Sequence, residues 1–241
     1  MDSGWMIGTA ILIIGLVGMC VIQWFQNRKL KEKNREMEEQ LRETDMSIML
    51  SQIQPHFLYN SLSAIRELCL EDPEEAPRAL EEFSAFLRGN MDSLRSKVPV
   101  PFSRELEHVK HYLHLEQIRF GDDLHVEYDI QEEDFFLPTL TIQPIVENAV
   151  KYGVGNKEEG GTVRISTCRE REKIVITVED DGIGFDVDEI EHIPVQKDGR
   201  THIGLSNVKH RLKKMVNGTM TIHSRRETGT IVRITLDAEH R

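Results

Sequence analysis

The stretch "QIQPHFLYNSL", residues 52–62, places a proline and a histidine side by side in a segment whose apolar residues otherwise have helical spacing. Pro55 removes a backbone hydrogen bond and crowds the carbonyl of Ser51, which costs roughly 3 kcal/mol inside a helix and bends or loosens it. The imidazole of His56 can accept and pass on protons or phosphoryl groups near neutral pH. His56 is therefore a candidate nucleophile beside a predicted bend.

The pattern around His56 predicts an amphipathic helix with the histidine on its polar side. At about 100° per residue, one face of this helix collects apolar residues: Ile53, Phe57, Leu58, Leu62, Ile65, Leu68 and Cys69. The opposite stripe is polar and contains Gln52, His56, Asn60, Ser63 and Glu67. We expect His56 to be exposed, and Asn60 and Gln52 are candidates to orient its ring.

A second group of residues suited to chemistry lies in "IVENAVKYG", residues 145–153, on a helix predicted over 139–152. Glu147 and Asn148 are adjacent, and Lys151 and Tyr152 follow about one turn later. The amide oxygen of Asn148 can complete the shell of Mg²⁺, an ion that takes few protein ligands. Lys151 can offset phosphate charge and Tyr152 can lie flat on a base. An amphipathic helix with its polar residues in solvent explains the same pattern.

Two glycine-containing stretches complete the set. In "VEDDGIGF", residues 178–185, Asp180 ends an apolar strand as an acceptor for an exocyclic amine, and Gly182 and Gly184 permit close backbone approach or positive φ. In "HIGLSNVKHRL", residues 202–212, Gly204 opens a predicted helix whose first-turn amides favour an anion such as a polyphosphate. The polar, acidic segment 186–203 is a candidate lid over a nucleotide. A strand-to-turn junction explains one of the glycines equally well.

The elements that must position these residues begin with an apolar N-terminal segment, residues 1–25. Gly4 to Phe25 carries no charge and is long enough to cross a bilayer as a helix, with Trp5 and Trp24 near its ends. A cleaved signal peptide is the alternative, but Asp2 precedes the segment and five basic residues follow it: Arg28, Lys29, Lys31, Lys33 and Arg35. We expect a single-pass anchor in the cell membrane, with a short N-terminus outside and the rest in the cytoplasm.

Residues 26–47 predict a juxtamembrane coiled coil, and residues 48–120 predict a helical dimerisation region. The heptad seam consists of Leu30, Asn34, Met37, Leu41, Thr44 and Ile48, although a lone solvated charged helix is the alternative. After the acidic turn "EDPEEAP", a second amphipathic helix carries Leu80, Phe83, Leu87, Met91 and Leu94. A third helix starts at Ser103 and runs to about Phe120. Two helices from each of two chains would form a four-helix bundle.

Residues 121–241 have the pattern of a separate α/β domain. Alternating or apolar segments predict strands over 124–130, 162–170, 173–180 and 230–236, with helices over 139–152 and 204–216. The net charge of −11 argues against nucleic acid as the main partner. Cys20, Cys69 and Cys168 are far apart and form no CxxC motif, which is typical of reduced thiols.

The three stretches together, in this order, resemble a known family. "ENAVKYG", "DDGIG" and "IGLSNV" resemble the N, G1 and G2 boxes of the Bergerat-type ATPases, which include gyrase, Hsp90, MutL and histidine kinases. "QIQPHFLYNSL" resembles the phosphoacceptor box of LytS/YesM-type sensor histidine kinases, and "SRELEHVKHYLHLEQIRFGDDL" and "LPTLTIQPIVENA" are similar to segments of that family. The resemblance covers about residues 48 to 236.

This resemblance implies a dimeric helical bundle that bears the histidine, followed by an α/β sandwich that binds ATP. His56 would be the phosphoacceptor, and a response regulator would receive the phosphoryl group on an aspartate. The implied ligands of Mg-ATP are the residues of the three boxes: Glu147, Asn148 (to Mg²⁺), Lys151 (to phosphate), Tyr152 (on adenine), Asp180 (to the adenine amine), Gly182, Gly184, Gly204, Leu205 and Asn207. Because almost nothing is expected outside the membrane, we expect the stimulus to come through the membrane, from a membrane sensor partner, or from anionic lipid at the basic juxtamembrane segment.

Three positions depart from the family pattern. Phe57 follows the phosphoacceptor where many histidine kinases carry an acid that serves as base. Pro144 stands where several related ATPases carry a catalytic acid or a second asparagine, so we expect slow hydrolysis of free ATP. His202 stands where glycine is common in the G2 box, which puts the structure of the lid in doubt.

Other interpretations of the sequence remain open. His108, His111 and His114 recur every three residues and could share Zn²⁺, but they fan widely and lack a further usual ligand, so an exposed helix face is favoured. A non-catalytic membrane adaptor that binds nucleotide and dimerises with a partner kinase is a second possibility. A protein kinase of the same ATPase group acting on Ser or Thr is a third.

Overall fold

A computed structural model describes residues 24, 28, 31, 55–96, 98–186 and 200–238. The chain divides into two compact units, residues 1–54 and 55–241, and the second contains the predicted site residues. The predicted membrane anchor and the heptad seam lie almost entirely outside the described residues, as do Gln52, Ile53 and the carbonyl of Ser51. Within the described residues, no helix combines the length and apolarity needed to cross a bilayer.

Three helices form the first half of the second unit. Helix α1 (Pro55–Glu71) carries His56. Helix α2 (Ala76–Arg95) follows the acidic turn and has a proline in its first turn, where no backbone hydrogen bond is lost. Helix α3 (Phe102–Phe120) is followed by Gly121, whose φ is +59°. The rings of Phe57, Phe86 and Tyr112, one from each helix, meet with centroid distances of 4.8 Å and 5.1 Å from Phe57. Helix α3 therefore packs on the α1–α2 hairpin and shares its core.

The predicted apolar faces of α1 and α2 are partly wrong. In α1, Phe57 and Ile65 are buried as expected, but Leu62 and Cys69 are exposed and Ser61 is buried instead. In α2, Phe83 is buried, whereas Leu80 is exposed and Ala79, Phe86 and Asn90 are buried. The reason is that α3 covers a narrower stripe than the apolar pattern suggests, which leaves leucines on the other side of the hairpin.

The three histidines of α3 do not form the exposed face that we favoured. His108 is buried, 7% exposed, and its ring stacks on Phe86 at 5.2 Å. His111 pairs with Glu82, and His114 lies 3.6 Å from a carboxylate oxygen of Glu75. The prediction is wrong because α2 packs along this side of α3. Each imidazole has a different neighbour, and no group of three or more His, Cys, Asp or Glu residues in the described part of the chain is placed to hold a metal.

A five-stranded sheet forms the second half of the unit. Its strands are β2 (Leu124–Ile130), β4 (Gly161–Glu170), β5 (Lys173–Asp180), β6 (Thr219–Arg225) and β7 (Gly229–Asp237), in the spatial order β2-β4-β5-β7-β6. The β2–β4 pair is parallel and the other pairs are antiparallel. Ile165, Val178 and Val232 align across three strands on the core face. Helix α3 packs against β2 at one edge of this sheet.

A short pair of strands, β1 (Val100–Pro101) with β3 (Phe136–Leu137), joins the helical half to the sheet half. The four strands predicted from sequence are confirmed, whereas β1, β3 and β6 were not predicted. The α/β fold with a helical histidine-bearing region is also confirmed. The domain boundary at residue 121 stays a prediction. Cys69 and Cys168 are free thiols, as expected.

Candidate functional site

The "IVENAVKYG" stretch forms one continuous but irregular helical segment. Helix α4 (Gln143–Asn148) passes into a π-helical turn (Ala149–Gly153) and a 3₁₀ turn (Val154–Asn156). The predicted helix over 139–152 therefore begins four residues later than expected and changes its winding after Asn148. Single π-helical turns are frequent at functional sites because they re-aim side chains within a helix. Here the turn carries Lys151, Tyr152 and Gly153.

A cavity of about 310 Å³ opens between this segment, the ends of β5 and β7, and helix α5 (Arg200–Val216). Five of the predicted residues line it: Asn148, Tyr152, Asp180, Gly184 and Leu205. The rest of its wall is mostly apolar and includes Ile145, Val178, Ile183, Phe185, Ile222 and Val232. An apolar slot with a few convergent polar groups is the usual form of a site for a small planar ligand.

Asp180 supplies the acidic group of this cavity. Its side chain is 5% exposed, and its Oδ1 accepts a hydrogen bond from the Gly182 N–H at 3.1 Å. Burial raises the pKa of Asp180 to about 6, against hydrogen bonds from Gly182 and Thr230 that lower it. A buried carboxylate of this kind is a strong acceptor for a ligand N–H group, and a donor placed there would relieve its desolvation.

The glycines around Asp180 are explained by contacts of the chain with itself. A Cβ at Gly153 would lie 2.4 Å from Asp180 Oδ1, and one at Gly182 would lie 2.1 Å from the Gly153 carbonyl carbon. Gly184 has φ +56°, and a Cβ there would lie 2.0 Å from the Arg225 carbonyl oxygen. The loop after β5 thus packs backbone to backbone against the π-helical turn and the β6–β7 turn, which holds Asp180 in place.

Other predicted residues lie outside the cavity lining. Glu147 accepts a hydrogen bond from Gln143 Nε2 at 2.7 Å. Lys151 is exposed, with its Nζ 4.7 Å from the Tyr152 ring centroid, and Asn207 is exposed on α5. Gly182 is buried against the backbone of Gly153.

Helix α5 differs from its predicted start. It begins at Arg200, so Gly204 lies in its second turn, and the prediction that Gly204 opens the helix is wrong. The additional turn precedes the "IGLSNV" stretch. The predicted lid, residues 186–203, lies mostly outside the described residues.

A buried carboxylate from α3 holds the start of α4. Glu105 accepts hydrogen bonds from the backbone N–H groups of Leu140, Thr141 and Ile142 at 2.6, 3.0 and 3.3 Å. Arg211 of α5 donates to the Leu140 carbonyl at 2.6 Å, and Leu140 has φ +54°. Burial raises the pKa of Glu105, against the three backbone donors and Arg211. Glu105 and Arg211 therefore fix the loop that leads into Asn148.

His56 lies at the start of α1 and is exposed, as predicted. The amide nitrogen of Asn60 donates to its Nδ1 at 3.1 Å. The adjacent Phe57 is buried against Phe86 and Tyr112, which gives this position a role in the core. Beside His56 runs a groove of about 410 Å³ between α1 and the end of α3, lined by His56, Asn60, Glu67, Glu71, Ile118 and Arg119 among others.

Several residues of the site were not predicted. Gly153 ends the "IVENAVKYG" motif, but its close contact with Asp180 was not predicted. Thr230, in the last strand, was not predicted to donate hydrogen bonds to Asp180. Phe185 and Ile222 also line the cavity. They were not predicted because Phe185 is an apolar residue of a loop and Ile222 lies in β6, a strand that the sequence pattern did not indicate. Gly229, the glycine that precedes Thr230 at the start of the last strand, was the available sequence signal for it. Glu105 gave none, because its partners lie 35 to 37 residues away in sequence.

Two family models match the chain. A histidine kinase model matches residues 44–124, and the model for histidine kinase-, DNA gyrase B- and HSP90-like ATPases matches residues 136–240. The first covers α1, α2 and α3, and the second covers the cavity with Asp180 and Asn148. The first match therefore contains His56, and the second contains the residues that line the cavity.

Named relatives agree with these matches. The uncharacterized protein YwpD of Bacillus subtilis is 37% identical over 78% of this chain and 68% of its own length. The sensor histidine kinase YesM of Bacillus subtilis is 31% identical over 86% of this chain, and the sensor protein LytS of Staphylococcus haemolyticus is 30% identical over 80%. The chain spans 36% and 34% of those two proteins. It belongs to the histidine kinase family, in the LytS/YesM-type group with a gyrase- and HSP90-like ATPase domain.

Proposed function

We propose that this protein is the sensor histidine kinase of a two-component system. It uses Mg-ATP to phosphorylate His56 and passes the phosphoryl group to an aspartate of a response regulator. The observation that carries the proposal is the cavity that unites Asp180, Asn148 and Tyr152, in the same compact unit as the exposed His56.

The apolar end of the cavity receives the adenine. Asp180 accepts a hydrogen bond from the exocyclic amine, and Tyr152, half-exposed at the rim, stacks on the base. The aliphatic wall from Ile145, Val178 and Val232 fits a flat ring. Gly182 and Gly184 keep the loop after β5 close to the base through their backbone contacts.

The phosphates lie toward Asn148 and α5. The amide oxygen of Asn148, at the cavity wall, suits Mg²⁺, which takes few protein ligands and neutralises phosphate charge when bound. Lys151, Glu147 and the start of α5 with Gly204, Leu205 and Asn207 complete the phosphate end in this proposal. Pro144 leaves no acid at that position to activate water, so ATP is kept for His56.

At the acceptor, Asn60 orients the ring of His56. An asparagine amide can be turned so that its oxygen accepts the Nδ1 proton, and this tautomer leaves Nε2 as the nucleophile. The γ-phosphoryl group then needs in-line placement and charge neutralisation more than covalent assistance. In our proposal this amide only orients the ring, and the ring proton passes to solvent because no acid follows His56 to accept it.

Assembly and location follow from exposed apolar surface and from the N-terminal sequence. Tyr59, Leu62, Leu70 and Leu80 are 74%, 50%, 82% and 50% exposed on the α1–α2 hairpin, which supports a homodimer built as a four-helix bundle. Residues 1–25 anchor the protein in the cell membrane, N-terminus outside, where a membrane sensor partner can act on it. The net charge of −11 does not favour nucleic acid as a direct partner.

The test is incubation of the full chain with γ-labelled ATP and Mg²⁺. We expect an acid-labile, alkali-stable label that is lost in His56→Gln and kept in His125→Gln, an exposed histidine of β2. Label retained in His56→Gln would exclude His56 as the acceptor. Nucleotide binding without any label would indicate a non-catalytic adaptor, and an acid-stable product would indicate a Ser/Thr protein kinase.

A further inference from the structure

Arg119, in the last turn of α3, has a guanidinium group that is held in place by two neighbours. Its Nε donates to Glu116 Oε2 at 3.0 Å, and its Nη2 pairs with the same oxygen. Its Cζ lies 3.9 Å from the centroid of the Phe120 ring. A planar guanidinium fixed by a carboxylate on one edge and an aromatic face is pre-organised, so little side-chain entropy is lost when it binds an anion.

The carboxylate that holds Arg119 is built into the core. Glu116 is 3% exposed, and burial raises its pKa while the charge and hydrogen bonds of Arg119 lower it. The Arg119 side chain is 27% exposed. Burying the Glu116 carboxylate is costly if its only purpose is an ion pair with Arg119. A fully exposed ion pair contributes at most about 1 kcal/mol and needs no buried charge.

Arg119 lines the same groove as His56. Among the described residues that line this groove, Arg119 is the only Lys or Arg, and Glu67 and Glu71 of α1 are its carboxylates. A phosphoryl group on His56 would add about two negative charges to this groove. Arg119 is the group of opposite charge that this groove offers. An arginine can donate two parallel N–H bonds to phosphoryl oxygens.

We propose that Arg119 binds the phosphoryl group on His56, with Glu116 and Phe120 as positioning residues. This role rests on the proposed function of His56 as phosphoacceptor. In the step, an imidazole nitrogen supplies the electron pair for the new N–P bond, the bond from the γ-phosphorus to the bridging oxygen breaks, and ADP leaves with that electron pair. The ring proton passes to solvent, and the phosphoryl oxygens accept from the guanidinium.

The experiment compares full-length wild type with Arg119→Gln, Arg119→Lys and the control Arg164→Gln. Arg164 also pairs with a glutamate, Glu127, but on the sheet. We expect about 10- to 100-fold slower labelling of His56 in Arg119→Gln, an intermediate loss in Arg119→Lys, and unchanged ATP affinity in both. The control should label at the wild-type rate.

A second readout separates binding from a structural role. In ³¹P NMR of the phosphorylated protein, loss of the guanidinium should raise the pKa of the phosphoryl group, because a nearby cation favours its dianion. Arg119→Gln that is merely less stable but labels at the wild-type rate, with an unchanged phosphoryl pKa, would overturn the proposal. If Arg119→Gln does not fold, labelling of Arg119→Lys at the wild-type rate would do so, because we expect an intermediate loss in that variant. Wild type that gives no label on His56 would refute the proposed function, and the role of Arg119 with it.

Discussion

Replacing Asp180 with asparagine should stabilise the ligand-free protein and weaken its binding of nucleotide. The pKa of Asp180 rises from 3.8 to about 6 because the side chain is buried. The folded state therefore holds this proton more tightly than the unfolded state does. Stability is lost as the pH rises from about 4 through 6, and the full loss is about 3 kcal/mol at neutral pH. Asparagine does not ionise, so Asp180→Asn lacks this dependence.

The measurement is urea unfolding of wild type and Asp180→Asn between pH 4 and pH 8, without nucleotide. The difference in free energy of unfolding between the two proteins should grow by about 2 to 2.5 kcal/mol across this range in favour of the variant. Other carboxylates titrate in both proteins and cancel in the difference. The matched control is Glu179→Gln, because neighbouring residues of a strand point to opposite faces of the sheet. Parallel curves for wild type and Asp180→Asn would refute the burial argument.

The same variant should bind ATP less tightly. The carboxylate of Asp180 already accepts from Gly182 and Thr230 and would also accept the adenine amine, whereas asparagine offers one oxygen. The loss of a charged acceptor corresponds to about 1.5 to 3 kcal/mol, or roughly 10- to 150-fold in affinity, by calorimetry at pH 7.5. Unchanged affinity would show that the amine of the ligand is not bound at Asp180, whatever the stability data give.

Three other substitutions test the supports of the site. Gly153→Ala would place a Cβ 2.4 Å from Asp180 Oδ1. We expect about 1 to 3 kcal/mol lost in urea unfolding and reduced ATP affinity by calorimetry, and unchanged values of both would refute the close contact. Glu105→Ala leaves the N–H groups of Leu140, Thr141 and Ile142 without their carboxylate acceptor. We expect the free energy of unfolding to fall by about 3 kcal/mol, and an unchanged midpoint of thermal unfolding would refute the role of Glu105 in holding this loop. Phe57→Ala removes the ring that packs on Phe86 and Tyr112; it should cost about 3 to 5 kcal/mol in urea unfolding, and Tyr59→Ala, an exposed neighbour, should cost little.

The parts of the fold that could be predicted are those set by local periodicity. The strands over 124–130 and 173–180 alternate or are apolar throughout, and the structure has them at the same bounds. Helix α3 starts within one residue of its predicted start and ends at Phe120. The family was also recognisable, because the histidine motif and the three nucleotide motifs follow one another in the order typical of it, and the family models match both regions.

The parts that could not be predicted depend on contacts distant in sequence. The apolar pattern of α1 includes Leu62, but a pattern does not show that α3 covers the side with Phe57 and Ser61. His108 reads as polar in the sequence, and its burial against Phe86 follows from the packing of α2. Helix α4 starts late because Glu105, in another helix, holds the preceding loop.

Gly153 and Gly184 line the cavity and leave no room for a Cβ, which has a consequence for compounds that bind there. A compound that contacts these two glycines meets main chain, which a change of side chain does not alter. A side chain introduced at either glycine would clash with the protein itself. Resistance by point mutation would have to arise at the rim and walls, where Tyr152, Ile183 and Leu205 present replaceable side chains. Chemotypes anchored deep, with few rim contacts, should therefore lose potency slowly under selection.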